Sequence, residues 1–108
     1  MKRGDIITVA LQGDYGKPRP AIVIQTDWID ETDTVLVCPL TTTTRNAPLY
    51  RLDVRAGPSS GLYAASQIMV EKVIAVRREK CGQPIGRADS DTMLTLGRML
   101  TLLIGVAD

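Results

Sequence analysis

Short apolar runs rich in β-branched residues recur along this chain, and glycine, proline and polar clusters separate them. Runs of this kind predict β-strands. The predicted strands are Ile6–Leu11, Ala21–Gln25, Thr34–Leu40, Leu49–Val54, Leu62–Val70, Lys72–Val76 and a short one near Gln83–Arg87. Their regular spacing indicates a small curved sheet or barrel, and not βαβ units. We therefore predict a mainly β (α+β) fold.

The pattern changes at the end of the chain, where apolar residues recur every three or four positions from Met93 to Ile104. This spacing predicts a helix, with Asp89 as its N-cap and Gly105 as its end. Gly97 lies inside the helix and suggests a close backbone approach. The apolar arc is wide, so the helix either packs against its own sheet and a partner or lies deep in its own core.

Charge is unevenly distributed in these 108 residues, although the net charge is only +1. Asp27–Asp33 carries four acidic residues and no basic one. We expect it to be a polar loop with Trp28 and Ile29 packed against the barrel. Positions 45–87 carry eight basic residues against three acidic ones. This stretch is compatible with a phosphate-binding face or with an ordinary solvated surface. The length predicts a single domain over residues 1–108.

Several functional classes are disfavoured by composition. No apolar run approaches the ~18 residues of a membrane span, and the first residues lack the apolar core of a signal peptide, so we expect a cytoplasmic protein. Cys38 and Cys81 lack metal-like spacing and are expected to be plain thiols. The chain has no histidine, which excludes a Ser-His-Asp triad and a histidine-pair ribonuclease. We expect neither a metal nor another cofactor.

The strongest candidate for chemistry is Arg19, which stands between Pro18 and Pro20. A proline restricts the preceding residue to extended geometry, so the backbone at Arg19 is expected to be extended at the start of a strand. Four threonines, Thr41–Thr44, follow directly after another predicted strand. A guanidinium beside threonine hydroxyls suits a phosphate group.

Five segments carry a family resemblance when they are taken together. They are Lys2-Arg3-Gly4-Asp5-Ile6, Arg19–Ile24, Val35–Thr41, Ser66-Gln67-Ile68 and Ile85-Gly86 with the helix after it. In this order they resemble the MazF/PemK (Kid) family of toxin–antitoxin ribonucleases. The resemblance implies an SH3-like small β-barrel with a C-terminal α-helix. It also implies a homodimer that cleaves single-stranded RNA at specific sequences, without metal, through a 2′,3′-cyclic phosphate. The expected protein partner is an acidic, partly disordered cognate antitoxin.

The resemblance assigns roles to residues. Arg19 matches the arginine that stabilises the transition state, and Thr41 matches the family's hydroxyl, with Thr42 as the near alternative. Met69 takes the position of a second family arginine, for which Lys72, Arg45 or Arg77 are possible substitutes. The RNA-binding residues that we expect are Asp14, Tyr15, Lys17, Thr42, Arg45, Gln67 and Lys72. Of these, Tyr15 is suited to stack on a base and Lys17 to contact a phosphate.

Two alternatives share this fold. CcdB-like toxins bind DNA gyrase and do not cut RNA, and they would be expected to carry an aromatic group near the C-terminus. The residues Leu103–Asp108 contain none. The other alternative is an inactive SH3-like module that binds RNA or a peptide. The sequence leaves the general base of an RNA-cleaving reaction open.

Overall fold

The computed structural model of the protein describes residues 1–11, 17–106 and 108. The strands in these residues are β1 (Asp5–Val9), β2 (Arg19–Val23), β3 (Thr34–Thr41), β4 (Arg51–Val54), β5 (Ser66–Met69), β6 (Ile74–Arg77) and β7 (Cys81–Arg87). Short 3₁₀ turns occupy Val70–Lys72 and Arg78–Lys80, and one helix, α1, spans Ser90–Leu103. All strand pairs in the described residues are antiparallel. The prediction of a mainly β fold with a C-terminal helix is confirmed.

Strand β3 is the centre of the sheet, whose order is β4-β5-β3-β2-β1-β7. One edge of β3 pairs with β2. The other edge pairs first with β6, through Thr34–Val37, and then with β5, through Leu40 and Thr41. The 3₁₀ turn Val70–Lys72 joins β5 to β6, which pair with successive parts of the same edge of β3. For this reason β6 begins two residues later than predicted.

The apolar side chains form two cores because successive residues of a strand point to opposite faces. One core contains Ile7, Val9, Ala21, Val23, Val35, Val37 and Val76. The larger core lies beneath the helix and includes Ile6, Ile22, Cys38, Leu40, Ile68, Leu96 and Met99. Burial raises the pKa of the Cys38 thiol to about 12, with a smaller rise from Glu71 and an opposing effect of Arg3. Cys38 therefore remains a protonated core residue at neutral pH.

Helix α1 begins and ends as predicted. The Asp89 carboxylate accepts a hydrogen bond from the Thr92 backbone N–H at 2.8 Å, and bonds from the backbone and hydroxyl of Thr92 lower the pKa of Asp89. Gly105 has a φ of +80°, the left-handed conformation that terminates helices. Leu96 and Met99 are buried in the core. In the part of the chain that the structure describes, no helix has the length and apolar character needed to cross a membrane.

The close backbone approach predicted at Gly97 is not found among the described residues. A Cβ at Gly97 would lie 3.6 Å from Arg3 Nη2, which is an ordinary contact. The close approach is instead at Gly86 of β7, where an added Cβ would overlap the backbone of Ser60. Any larger residue at Gly86 would therefore push β7 away from the loop that precedes β5.

The Arg3-Gly4-Asp5 motif joins separate parts of the fold. The Gly4 N–H donates to the Val23 carbonyl at 2.8 Å, and the Gly4 carbonyl accepts from the Ala88 N–H at 2.9 Å. Gly4 adopts a φ of +93°, a conformation that side chains with a Cβ disfavour. The Asp5 carboxylate pairs with Arg87 at 2.5 Å. This motif therefore connects β1 to β2, β7 and the start of the helix.

The prediction that Trp28 packs against the barrel is wrong, because Trp28 is 94% exposed. Ile29, also expected there, is half-buried and lines a groove together with Val23 and Val35. The loop is held by its own polar groups. The Gln25 amide donates to the Ile29 carbonyl at 2.7 Å and to Thr32 Oγ1 at 3.0 Å. The Ile29 N–H donates back to the Thr26 carbonyl. These hydrogen bonds hold the loop together within itself, and the indole ring of Trp28 remains in solvent.

Candidate active site

An open groove of about 460 Å³ lies where β2 begins and β3 ends. Its described lining residues are Leu11, Arg19, Pro20, Pro39, Leu40, Thr41, Thr42, Thr43, Ser66, Met69 and Lys72. Four of the residues expected from the sequence therefore meet here, namely Arg19, Thr41, Thr42 and Lys72. They come from three segments that are far apart in the sequence, and the pairing of β3 with β2 and β5 brings these segments together.

Arg19 and Thr41 both line this groove, Arg19 at the start of β2 and Thr41 at the end of the neighbouring strand β3. Ala21 of β2 and Pro39 of β3 form the last pair between these strands at this end. The same antiparallel register, if extended by two residues, would bring Arg19 level with Thr41. Residues two apart on a strand share a face, so both side chains belong to the face of the Ala21–Pro39 pair. The extended backbone predicted for Arg19 is confirmed, because β2 begins at this residue. Its side chain is exposed.

The hydroxyl of Thr41 shapes the chain that follows it. Thr41 Oγ1 accepts a hydrogen bond from the Thr43 N–H at 3.1 Å, which makes a tight turn at the end of β3. The turn keeps Thr42 and Thr43 on the lining of the groove. Accepting this bond uses a lone pair of the oxygen, and the hydroxyl proton is still able to donate to a bound group.

Lys72 is the one of the three possible substitute bases that lies in the groove, beside Met69. Arg45 lines a different groove, and Arg77 is paired with Glu79 at 3.1 Å. Lys72 ends the 3₁₀ turn Val70–Lys72, and the preceding Glu71 fixes that turn through hydrogen bonds to Arg51.

The pair between Arg51 and Glu71 is almost buried, with the two side chains 3% and 25% exposed. Burial by itself disfavours the charged form of Glu71 and would raise its pKa. Hydrogen bonds from Arg51 and from the backbone, together with the charges of Arg51 and Lys72, outweigh burial and lower the pKa of Glu71. The carboxylate is therefore ionised at neutral pH and holds the turn that carries Lys72.

The structure places Gln67 differently from the residues in the groove. Gln67 is buried, its Oε1 accepts from the Arg45 N–H at 3.0 Å, and its Nε2 donates to the Arg45 carbonyl at 3.0 Å. Nε2 also donates to Asp53 Oδ1 at 2.9 Å. The amide thus fixes the backbone at Arg45, immediately beyond the threonines. Arg45 itself is exposed.

Of the three remaining expected residues, the structure describes Lys17. Lys17 is exposed and stands two positions before Arg19. Asp14 and Tyr15 lie outside the described residues.

Among the other lining residues, Thr43 and Ser66 carry hydroxyl groups that were not expected in the site, and Met69 is the residue that takes the position of the second family arginine. Thr43 follows from the turn at Thr41. Pairing of Leu40 with Ile68 brings Ser66 and Met69 to this end of β3. An alternating pattern alone does not reveal that pairing, because it shows which face a residue takes and not which strand lies beside it.

The described lining residues include arginine, lysine and hydroxyl groups and no carboxylate. Elsewhere in the described ranges, no group of three or more cysteine, aspartate or glutamate side chains is arranged to hold a metal ion. The donor set therefore favours recognition of an anion over coordination of a cation. A phosphate group with developing negative charge matches this set.

The fold and the groove agree with a known class of protein. Residues 2–104 match the model of the PemK-like, MazF-like toxins of type II toxin–antitoxin systems. The chain belongs to this family, and the family expected from the sequence is confirmed.

Individual relatives are similar over the full length. A probable endoribonuclease MazF of Mycolicibacterium smegmatis is 41% identical over 108 residues, or 99% of each chain. The enzyme class in the name of this relative, endoribonuclease, is the class expected from the sequence. Two solved structures share the fold. The toxin MazF-mt6 of Mycobacterium tuberculosis has a TM-score of 0.79 at 21% identity, covering 93% of this chain and 95% of that one. A MazE-MazF structure from Deinococcus radiodurans has a TM-score of 0.78 at 18% identity, covering 97% and 96%.

Proposed function

We propose that this protein is a toxin that acts as a sequence-specific, metal-independent endoribonuclease on single-stranded RNA. The observation that supports the proposal is that Arg19, Thr41 and Lys72 line the same groove. Membership of the toxin family supports it, and so does the relative from M. smegmatis, which is named as a probable endoribonuclease MazF.

The reaction that suits this groove is attack of a ribose 2′-hydroxyl on the adjacent phosphorus. The bond from phosphorus to the 5′-oxygen breaks, the 2′-hydroxyl loses its proton and the 5′-oxygen gains one. The products are a 2′,3′-cyclic phosphate and a 5′-hydroxyl. Because the substrate supplies the nucleophile from within the same molecule, the protein has to orient it, to assist the transfer of a proton from the 2′-oxygen and of one to the 5′-oxygen, and to stabilise charge. This requirement agrees with a groove of cations and hydroxyls.

Each groove residue has a role in this scheme. The Arg19 guanidinium donates hydrogen bonds to the phosphoryl oxygens and stabilises the charge that builds on them. The Thr41 hydroxyl positions the phosphate or relays a proton. Lys72 supplies the second positive charge at the place where Met69 replaces the family's arginine. Thr42, on the same lining, and Lys17, two positions before Arg19 in the sequence, are proposed to bind the RNA backbone.

The RNA must be unpaired for this chemistry, because the 2′-oxygen has to align with the leaving oxygen and bases must leave their stacks. Arg45 and Gln67 complete the predicted RNA-binding set. The bonds from the Gln67 amide to Arg45 favour a positioning role for Gln67, which holds the backbone beyond the threonines.

Regulation is proposed to come from a homodimer and an antitoxin. The helix and the residues after it keep apolar side chains on the surface, among them Leu94 at 57%, Ile104 at 70% and Val106 at 68% exposure. Exposed apolar surface of this kind supports a contact with a second copy of the chain. An acidic antitoxin segment that binds the cationic groove would compete with RNA. One of the similar structures is an endoribonuclease in complex with its cognate antitoxin, from a mycobacterial species.

The proposal is tested by incubating the purified protein with a long unstructured RNA in excess EDTA. We expect discrete fragments whose upstream ends carry a cyclic phosphate and whose downstream ends carry a 5′-hydroxyl. Dependence on Mg²⁺, or a 5′-phosphate on the downstream fragment, would overturn the mechanism. Intact RNA after incubation with a folded protein would overturn the enzyme assignment itself.

A further inference from the structure

A small groove of about 230 Å³ lies at the end of β2 that is remote from the proposed active site. Arg19 at the start of β2 lines the active-site groove, whereas Val23 at the end of β2 lines this one. Four steps along a strand span about 13 Å. The two grooves share no described lining residue. A ligand in this groove would therefore lie apart from the groups to which the chemistry is assigned.

Apolar side chains line this groove, and an exposed tryptophan stands next to it in the chain. The lining includes Val23 and Val35, which are buried, and Ile29, which is half-buried. Trp28 lies between Asp27 and Ile29, two residues of the lining, and is 94% exposed. Tryptophan is enriched among the residues that contribute most to binding at protein interfaces. A fully exposed indole beside an apolar groove is therefore a candidate contact surface for another protein.

The loop that presents Trp28 is held in place without a partner. Besides its bonds to Ile29 and Thr32, the Gln25 amide accepts a hydrogen bond from the Leu36 N–H at 3.0 Å, which ties the loop to β3. The Arg78 side chain donates to the Thr32 carbonyl from the other side. Because these bonds already fix the loop, a partner that binds here orders little additional chain, and the entropic cost of association is correspondingly low.

The charges around the groove indicate what kind of partner fits. Asp30, Glu31 and Asp33 are exposed, and their carboxylates have no ion-pair partner among the described residues. With Asp27 they make four acidic groups, against the two basic residues Lys2 and Arg78 on the lining. This excess of negative charge repels nucleic acid, anionic lipid and an acidic antitoxin segment, and it attracts a basic segment.

We propose that the groove beside Trp28 is a docking site for a basic, partly apolar segment of another protein. An aliphatic side chain of the partner occupies the groove against Ile29, an arginine lies on the face of the Trp28 indole, and neighbouring basic groups pair with Glu31 and Asp33. The site goes beyond the proposed ribonuclease function and does not depend on it. It would let the protein hold a basic partner while the active-site groove remains open.

Binding is measured on the full chain by tryptophan fluorescence, because Trp28 is the only tryptophan and its emission reports on this site alone. The probe is the capped peptide Arg-Leu-Arg-Arg, and Glu-Leu-Glu-Glu is its acidic control. We expect a saturable change in emission with the basic peptide that weakens as salt is added, since salt screens exposed charges. No saturable change with the basic peptide, or an equal change with the acidic one, would overturn the proposal. A stronger response to a short uridine oligonucleotide would also overturn it, in favour of an RNA site.

Variants assign the binding to individual side chains, with a fluorescein-labelled basic peptide followed by anisotropy. Trp28→Ser is expected to weaken binding about five- to thirtyfold, the range for a cation–π contact with an indole. Tyr63→Ser, which removes another fully exposed aromatic ring, is the control and should bind like the unmodified protein. Glu31→Gln combined with Asp33→Asn is expected to weaken binding about two- to tenfold. Equal losses in Trp28→Ser and Tyr63→Ser, or full binding by Trp28→Ser, would overturn the assignment.

A second copy of the chain is the competing occupant, and dilution of the protein without peptide tests it. If the indole faces solvent in the isolated protein, its emission stays constant from high to low micromolar concentration. A shift to longer wavelength on dilution would mean that a second copy covers Trp28, and it would overturn the proposal of a separate basic partner. None of these measurements involves RNA cleavage, so they decide on this site whether or not the protein cuts RNA.

Discussion

Arg19 and Arg51 each begin a strand, yet the Arg19 side chain is exposed and the Arg51 side chain is buried. Arg19 begins β2 and is exposed at an open groove beside Thr41. Arg51 begins β4 and is 6% exposed, with two of its nitrogens bonded to Glu71. A buried guanidinium needs a carboxylate partner, because removing its charge from water is costly. Arg19 lies at the surface, on the lining of a groove that a phosphate can enter from solution.

The contrast between the two arginines shows that surroundings determine what an arginine does. The Arg51–Glu71 pair anchors the 3₁₀ turn that carries Lys72 to the active-site groove. Arg51 therefore acts on the site indirectly, by holding the turn that carries Lys72, whereas Arg19 is expected to contact the substrate. Substitutions at the two positions should separate stability from activity, and substitutions at their neighbours should show the same separation with smaller effects.

Arg19→Ala is expected to reduce the RNA cleavage rate by about 10²–10³, the usual cost of losing one transition-state contact. Its free energy of unfolding is expected to change by less than about 0.5 kcal/mol, because an exposed side chain contributes little to the core. Cleavage is measured with a fixed RNA, and stability by urea unfolding. Retention of full cleavage activity would show that Arg19 has no role in the reaction.

Arg51→Met is expected to have the opposite profile. Removing one partner of a buried pair leaves Glu71 without its counterion, and we expect a loss of about 2–4 kcal/mol in the free energy of unfolding. Arg55→Met, at an exposed position just after β4, is the control and should stay within about 0.5 kcal/mol of the unmodified protein. Equal stabilities for the two variants would mean that the ion pair does not stabilise the fold.

Thr41→Val removes the hydroxyl and keeps the shape of the side chain. We expect cleavage to fall by about tenfold or more, in the range for a group that assists proton transfer or orientation. Thr42→Val, one residue further along, is the matched comparison and is expected to have a smaller effect. If only Thr42→Val impairs cleavage, the hydroxyl assigned to the chemistry is off by one residue.

Lys72→Met is expected to lower kcat/KM by about five- to tenfold, since it removes a charge worth about 1 kcal/mol near the phosphate. Lys80→Met, an exposed lysine of the other 3₁₀ turn, is the control. The decrease for Lys72→Met should shrink as salt concentration rises, because salt screens the interaction of exposed charges. A loss that is equal in both variants would assign the effect to net charge and not to the groove.

Glu71→Gln is expected to flatten the dependence of stability on pH between neutral and acidic conditions. The pKa of Glu71 is lowered in the folded protein, since the bonds and charges of its partners outweigh burial. Its contribution is therefore complete above its ordinary pKa of 4.5 and is lost as pH falls through the lowered folded value. Urea unfolding at pH 7 and pH 3 should give a difference between variant and parent that is smaller at pH 3. A difference that is independent of pH would contradict this linkage.

Much of the fold could be predicted because its signals are local. Apolar runs identified the strands, and Asp89 and Gly105 marked the ends of the helix because capping is a local requirement of its backbone. Strand ends were less well predicted. β4 begins at Arg51 and not at Leu49, because the Tyr50 N–H turns back to the Ala47 carbonyl at 3.1 Å. Trp28 was expected to pack against the barrel but is exposed. Its position is decided by the hydrogen bonds within the loop and not by the apolar character of its side chain.

The sequence by itself determined the strand-rich class, the C-terminal helix and the choice of Arg19 and Thr41, whose roles it indicated through flanking prolines and the resemblance to a family. Only the tertiary structure decided that Lys72 and not Arg45 lies beside them, that the Gln67 amide is bonded to Arg45, and that Arg51 is buried with Glu71. Local preferences depend on neighbours along the chain. These placements depend instead on the edge of β3 shared by β5 and β6, which brings distant residues into contact.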